Sequence, residues 1–405
     1  MARPKVIVQI YPMLPAVDRA ERERLRPLGR NAEIYHQVLH ETVDLVTEID
    51  KMGVWGISTI EHHFHSEGYE LGPNPGVLNA FWASHVKNAY IGALGYVMGT
   101  RDPIRVAEET AILDHMMKGR YFVGVTRGYQ SRWLNTLGQS IDAVATVSDG
   151  GPDDLRNREI FEERVRMLLE CWAEESISFK HETYEAPYPH DTGIVDYPAR
   201  KSIETAGAHG ELGPDGTIRR HCVVPSTYTK PHPPLFAPMS GSAASIPFLA
   251  KNGIRPIYFS PLAVLRGFAE DYVEVGRSVG VDYALGERQC MARWVHLGEK
   301  QEFLDKIVKY DVEMYEQHYQ TFYPKMQFGD REATLKGMLD SGIFTGGTVE
   351  ELKTQWRNQY AQLPAEYITL IWHYAQCPMD VMLEELGVFM DQVIPELDAP
   401  SSTGI

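Results

Sequence analysis

Cysteine is scarce in this chain, and the four residues present, Cys171, Cys222, Cys290 and Cys377, lie far apart without a C-x-x-C pair. That excludes a disulfide scaffold and a thiolate zinc module, and it suits a reducing compartment. Positive charge is also in deficit, with 39 Lys and Arg against 55 Asp and Glu, a formal net charge of −16. Such a surface repels phosphate backbones, which argues against nucleic acid as the main partner. No apolar run approaches the roughly 18 residues of a membrane helix. The opening Met1-Ala-Arg-Pro-Lys-Val-Ile-Val lacks a signal-type apolar stretch, and Tyr11-Pro-Met-Leu-Pro interrupts it at once. The expectation is a soluble, cytoplasmic protein with no membrane contact. There is no internal repeat and no low-complexity tract. Neither G-x-x-x-x-G-K-[ST] nor G-x-G-x-x-G occurs in the right setting, so a phosphorylated ligand would be held by neither a P-loop nor a Rossmann unit.

What the chain does have is 405 residues that are 43% hydrophobic and 23% charged, enough for a sizeable core. Short apolar runs alternate with amphipathic stretches, the pattern of an α/β protein. Eight strands are predicted, at Lys5–Tyr11, Gly56–His62, Tyr90–Val97, Tyr121–Thr126, Leu235–Met239, Arg255–Ser260, Cys290–Leu297 and Tyr367–His373. Between them, Val106/Thr110/Leu113/Met117, Phe161/Val165/Leu168/Trp172 and Met382/Leu386/Phe389/Val393 recur at helical spacing, and Thr348-Val-Glu-Glu351 reads as a capping box. Eight strands separated by helices, with no internal linker, predict one (β/α)8 TIM-type barrel domain over 1–405. Two stretches are too irregular for simple connections, 178–234 and 319–347, and long loops inside a compact fold are usually lids or mobile segments. Long loops at the C-terminal face of a barrel are where active sites are built.

Three motifs carry chemistry. Glu61-His62-His63-Phe64-His65 closes the second strand, and strand alternation lets only one of His62 and His63 face the barrel mouth. An imidazole there is a general base, a hydrogen-bonded structural histidine or, through His63-Phe-His65, part of a metal site. Metal is the weaker reading, because the fifth and sixth strands end without His or carboxylate. Thr126-Arg127-Gly128 ends the fourth strand and offers a phosphate a guanidinium fork and approachable backbone, unless Arg127 caps a helix or pairs with a carboxylate. Ser240-Gly241-Ser242-Ala243 follows the fifth strand and opens a helix, an arrangement suited to an anion. Glu108, Glu109, Asp114 and Arg120 read as ion pairs that fix a helix, and Glu61 as a group orienting a neighbouring histidine.

Taken in order, Glu61-His-His-Phe64, Tyr90-Ile-Gly-Ala-Leu-Gly-Tyr-Val-Met98, Asp102-Pro-Ile-Arg-Val-Ala-Glu-Glu109, Leu113-Asp114, Lys118-Gly-Arg120, Val123-Gly-Val-Thr-Arg-Gly128, Pro231-His-Pro-Pro234 and Phe389-Met-Asp-Gln-Val-Ile-Pro395 resemble the bacterial luciferase-like flavin monooxygenases. Residues 56–130 are the nearest part. The resemblance implies a TIM-type barrel using reduced FMN delivered by a separate flavin reductase. Oxygen would add at flavin C4a, and the resulting peroxide or hydroperoxide would oxidise a small organic substrate. It implies that His62 is the catalytic base and that Leu94-Gly95 is a non-prolyl cis peptide beneath the flavin. Arg127, flanked by Thr126 and Gly128, resembles the phosphate-binding arginine, and Ser240, Gly241, Ser242 and Ala243 the backbone phosphate cradle. Thr126 stands where bacterial luciferase has a reactive cysteine, so thiol chemistry is not expected. Tyr11, Trp372 and His373 are the strand-end candidates for substrate contact, with aromatic packing as the alternative. A homodimer is expected from the family's habit. The other readings are a non-catalytic flavin-binding or partner subunit, a metal-dependent barrel hydrolase, and the related branch that uses a deazaflavin for hydride transfer.

Overall fold

The computed structural model describes residues 2–239, 242–322 and 327–402, and these sort into two compact units. The first comprises Met1–Tyr96, Phe122–Val125 and Pro234–Ile405. Its strands are β1 (Lys5–Ile10), β2 (Gly56–Thr59), β3 (Tyr90–Val97), β4 (Tyr121–Thr126), β5 (Leu235–Met239), β6 (Arg255–Tyr258), β7 (Cys290–Leu297), β8 (Phe344–Gly347) and β9 (Tyr367–Trp372), with the tips of β3 and β4 running on into the second unit. They are ordered β8-β7-β9-β1-β2-β3-β4-β5-β6, and a further pairing of β7 with β6 closes the ring. The ring is therefore an eight-stranded parallel barrel, β1 to β7 with β9, of the TIM type.

All eight predicted strands form, four of them with the predicted bounds. The other four stop short, leaving Tyr11, His62, Ser260 and His373 just beyond a strand end. β8 is an addition that pairs with only the C-terminal half of β7, Phe344 opposite Trp294 and Gly347 opposite Leu297. Phe-Thr-Gly-Gly has no apolar run, which is why periodicity does not find it. It lies inside 319–347, where the helix Arg331–Asp340 also stands, so much of the stretch read as irregular is regular structure. Residues 323–326 of that stretch lie outside the described residues.

The floor of the barrel is aromatic. Trp55 stacks on Tyr90 at 4.4 Å and meets Phe122, Phe236 and Tyr367 at 5.3, 6.0 and 5.1 Å between centroids. Arg255 lies over Phe236 and Lys5 over Tyr367, so cations close the ring faces from below. Gly92 makes room for this plug, since a Cβ there would come within 2.3 Å of the Phe122 carbonyl oxygen and 2.5 Å of its ring. The helices start where their caps dictate. Asn31 accepts from the Ile34 N–H to open Ala32–Lys51, and the capping box of Thr348 and Glu351 opens Val349–Gln362. Met382, Leu386, Phe389 and Val393 are all buried, as their spacing predicts.

The second unit comprises Val97–Tyr121 and Thr126–Pro233. Its helices Pro103–Met116 and Pro152–Ala173 bury the stripes Val106/Thr110/Leu113/Met117 and Phe161/Val165/Leu168/Trp172. Asp102 caps the first helix and also accepts from the Tyr184 hydroxyl at 2.7 Å. Asp114, read from sequence as an ion-pair partner, instead accepts from the Thr229 N–H at 2.7 Å and its hydroxyl at 2.9 Å. The stretch 178–234 contributes a two-residue antiparallel hairpin, Phe179–Lys180 with Glu185–Ala186, and the helix Arg200–Ala206. No helix among the described residues is long and apolar enough to cross a membrane.

Two glycines test this packing in opposite directions. Gly92→Ala drives a methyl into Phe122 and should cost about 2–3 kcal/mol, read as a lower midpoint in urea. Gly267, exposed within the helix Leu262–Ser278, has nothing within 4 Å of a built Cβ. There Gly267→Ala should stabilise the same transition by about 0.5–1 kcal/mol.

Candidate active site

Strand ends bring together three of the residues singled out in the sequence. Tyr11 follows β1, His62 follows β2 and His373 follows β9, and the Tyr11 ring lies 5.8 Å from that of His62 and 5.9 Å from that of His373. Between them stands a residue that sequence reasoning missed, Glu70. Its carboxylate is wholly buried, with Oε1 accepting from the Tyr11 hydroxyl at 2.6 Å. Oε2 lies 2.7 Å from His62 Nδ1, 3.0 Å from His318 Nε2 and 3.5 Å from His65 Nε2. Burial alone would raise the Glu70 pKa, but the His62 and His318 imidazoles overcome it and hold the carboxyl well below its usual range. An ionised oxygen only accepts, so Nδ1 of His62 carries its proton towards Glu70, and Nε2 is the nitrogen left for chemistry.

The loop that carries Glu70 is held from behind. Glu313 accepts from the Tyr69 hydroxyl at 3.1 Å and from Arg22 Nε at 3.2 Å, while Arg22 Nη1 donates to the carbonyls of Leu14 and Glu67. Phe64 and Glu70 both take left-handed backbone, with φ of 63° and 44°. For a residue with a Cβ this is unfavourable by about 1–2 kcal/mol, and at Glu70 the polar partners of the side chain oppose that cost. His318 sits in a π-helical turn, Tyr315–Tyr319, one residue before the stretch read as a lid. Such turns frequently accompany functional sites. The histidine motif itself divides. Glu61 orients His63, at 3.1 Å from Nε2, whereas His65 turns to Glu67 and Glu70. The described residues that gather ligand atoms within 4.8 Å are His62/His65/Glu70 and His65/Glu67/His318, and His63 is in neither group.

A second buried array lies behind His373. Its Nδ1 is 2.8 Å from Asp311 Oδ1, Asp311 Oδ2 is 2.9 Å from His296 Nε2, and His296 Nδ1 is 2.9 Å from Glu385 Oε2. Burial alone would lower the His296 pKa, but Asp311 and Glu385 raise it to about 10, a lasting imidazolium between two carboxylates. Asp311 is held down to about 2, with burial opposing and His296 the main cause. Lys306 Nζ at 3.1 Å and the Leu297 N–H at 2.9 Å complete Glu385. Trp372 belongs here too. It is fully buried and its indole donates to Glu385 at 2.9 Å, so it is tied to this array rather than grouped with Tyr11.

The cofactor candidates are distributed as follows. In the first unit the Leu94–Gly95 peptide is cis, the one non-prolyl cis bond among the described residues, at the position where the resemblance places one. A Cβ on Gly95 would come within 2.5 Å of Gly124, so only glycine fits this strand contact. Ser242 caps the short turn Ala243–Ser245 by accepting from the Ala244 N–H at 3.2 Å, while Ser240 and Gly241 lie outside the described residues. In the second unit, Arg127 lies between Thr126 and Gly128 and is engaged by an ion pair with Asp154 and a 2.8 Å bond from Nε to Asn157.

A sequence model of the luciferase-like monooxygenases matches residues 24–367 of this chain. The chain belongs to the luciferase-like monooxygenase family. Among its curated relatives, the alkanal monooxygenase beta chain of Vibrio harveyi is 33% identical over 88 residues, which is 22% of this chain. That match spans about a quarter of the relative, 26% of its length. The same fold occurs in a type II Baeyer–Villiger monooxygenase from Pseudomonas putida solved with FMN, at a TM-score of 0.71 and 14% identity over 99% of this chain and 100% of that one. It occurs again in an F420-dependent secondary alcohol dehydrogenase, at a TM-score of 0.62 and 13% identity over 98% and 100% of the two chains. Within this family frame, the motif Glu61-His62-His63-Phe64 is the visible part of the site, and Glu70, His318, Asp311, His296 and Glu385 are the part sequence reasoning passed over. Only Glu70 has a local cue, an acid between Gly68 and Gly72 in a turn-rich segment following a histidine cluster.

The His296 array predicts a pH dependence of stability. Its pKa is raised on folding, so its stabilisation is complete below about 6.5 and lost as pH rises towards about 10. The melting temperature of the wild type should fall between pH 7 and 10. His296→Gln should be less stable by about 3 kcal/mol at pH 7 and should show a shallower alkaline decline.

Proposed function

We propose that this chain is a two-component FMN-dependent monooxygenase that takes reduced FMN from a separate flavin reductase and uses O2 to oxidise a small organic substrate. The observation that carries this reading is His62, fixed by Glu70 at the end of β2 in a chain of this family. Reduced FMN, when bound, supplies the electrons that activate O2 for transfer of one oxygen atom to the substrate. The residues fit such a group in two respects. A half-buried imidazole lies 2.7 Å from a buried carboxylate that can hold its Nδ1–H, and β3 carries a glycine and a cis peptide at Leu94–Gly95 where the family would lay the ring.

In this reading His62 Nε2 gives and takes the proton that oxygen transfer needs, and Glu70 keeps Nδ1–H pointing away from the reaction. Tyr11 and His318 keep Glu70 ionised and in place, acting as positioning residues. Leu94 and Gly95 support the ring by backbone and side chain. Ser240, Gly241, Ser242 and Ala243 are the phosphate cradle proposed for β5. Thr126, Arg127 and Gly128 are the other phosphate candidates, although the Asp154 pair gives Arg127 a structural role of its own. Tyr11 and His373 are proposed to contact substrate. Trp372, held by Glu385, is kept only as a support for His373. A homodimer in the cytoplasm completes the proposal.

Two observations bear on other readings. The Glu70-held His62 counts against a non-catalytic partner subunit. The gathering of His62, His65 and Glu70 within 4.8 Å favours a metal centre as the second reading.

Mixing the protein with anaerobically reduced FMN and then O2, while following oxygen uptake and flavin absorbance, tests the proposal. His62→Ala should bind flavin normally and lose turnover by about 100- to 10,000-fold. Glu70→Gln should lose about tenfold or more, because the amide no longer fixes the tautomer. Arg127→Ala should weaken flavin binding about tenfold if its guanidinium reaches the phosphate. Unchanged turnover in His62→Ala would restore the partner-subunit reading. Stoichiometric metal in the purified protein, with no flavin binding, would transfer the site to the metal reading.

A further inference from the structure

His373, proposed above to contact substrate, and its neighbour Trp294 each bury a polar atom to which that reading assigns no partner. His373 is 1% exposed and Trp294 6%, and among the described residues neither His373 Nε2 nor Trp294 Nε1 has a hydrogen-bond partner. Buried polar atoms without partners are uncommon and costly, and at a family site they point to a group that arrives from outside. The two rings are in contact, with centroids 6.2 Å apart. Tyr319 meets both, at 5.8 Å from Trp294 and 6.2 Å from His373, and Tyr11 meets His373 and Tyr319 at 5.9 and 6.3 Å. The two unanswered nitrogens therefore belong to a cluster of four aromatic rings.

The chemistry of those nitrogens is fixed by what lies behind them. Asp311 accepts at His373 Nδ1, so Nδ1 carries a proton, and in the neutral imidazole Nε2 presents a lone pair. An indole N–H can only donate. One atom wants a donor and the other an acceptor, and a hydroxyl is the small group that is both. Ring walls of this kind favour a planar, apolar body on that hydroxyl.

We propose that His373 Nε2 and Trp294 Nε1 form a recognition subsite for the hydroxyl of a phenol-type ligand whose ring lies against Tyr11 and Tyr319. His373 accepts the phenolic O–H and Trp294 donates to its oxygen, while Asp311, backed by His296 and Glu385, locks the accepting tautomer. That this ligand is the molecule oxidised rests on the function proposed above, but its binding does not.

The test is calorimetric titration of the purified full-length protein, without flavin, using 2-naphthol and its methyl ether, 2-methoxynaphthalene. The ether keeps the ring and the acceptor oxygen and replaces the donor hydrogen by a methyl group. Wild type should bind the naphthol at least about tenfold more tightly. His373→Asn keeps an N–H for Asp311 but nothing in place of Nε2, and should bring the ratio close to one. Trp294→Phe should weaken both compounds about three- to tenfold and preserve the ratio. Should His373→Asn fail to fold, as judged by circular dichroism, Trp294→Phe alone decides. Equal affinities in wild type, a ratio unchanged in His373→Asn, undiminished binding in Trp294→Phe, or no heat from either compound overturns the subsite. Titrating FMN into the same samples keeps the two ideas apart. Flavin binding without naphthol preference sinks only the subsite, and naphthol preference without flavin binding sinks only the monooxygenase.

Discussion

A carboxylate kept ionised although wholly buried is the constraint around which this site is arranged. Burial would push Glu70 towards its neutral form, and the imidazoles of His62 and His318 hold it charged instead. The consequence reaches beyond charge. An ionised Glu70 accepts from Tyr11 and fixes which nitrogen of His62 bears the proton, so one side chain sets both the position and the tautomer of the proposed base. Left-handed backbone at Glu70 and the Arg22–Glu313–Tyr69 brace show how much of the local chain is committed to that placement.

The array behind His373 uses the same physics with the signs exchanged. There a buried imidazolium, His296, lies between Asp311 and Glu385, and Lys306 supplies a second positive charge at Glu385. Two cations against two anions leave the cluster near neutrality, which is how charges persist in an interior. His373 inherits a fixed orientation from this balance. Asp311 reaches it from a π-helical turn, Val308–Val312, as His318 reaches Glu70 from the turn Tyr315–Tyr319. Both arrays therefore depend on one irregular helical stretch between β7 and β8, where departures from α-helical spacing re-aim side chains.

Arg127 illustrates how a motif can be found correctly and still be incomplete. The sequence marks it as a cation at the end of β4, suited to phosphate unless it caps a helix or pairs with a carboxylate. Within its own unit it is bound to Asp154 and Asn157, residues of the helix Pro152–Ala173. An acid some 27 positions away has no local pattern connecting it to the arginine, so the pairing is invisible until the chain folds. Glu61 is the contrasting case. It lies two residues from His63, and its orienting role could be read from proximity alone.

Periodicity and caps belong to the sequence. Alternating apolar runs predict the eight strands of the ring, helical stripes such as Met382, Leu386, Phe389 and Val393 predict the buried faces, and Thr348 with Glu351 predicts a helix start, because each depends on neighbours within a turn or a strand. The Glu-His-His-Phe segment and its companions identify the family for the same reason, being short and contiguous. The strand Phe344–Gly347 escapes because two of its four residues are glycine, and its stability comes from β7 rather than from its own composition. The polar arrays escape more completely. Glu70 with His318 and Asp311 with His296, His373 and Glu385 are separated by tens to hundreds of residues, and the energy of a buried charge depends on all its partners at once. Local sequence decided which residues form strands and helices. Only closure of the barrel decided which imidazole meets which carboxylate, because that choice is made by burial and distance rather than by order along the chain.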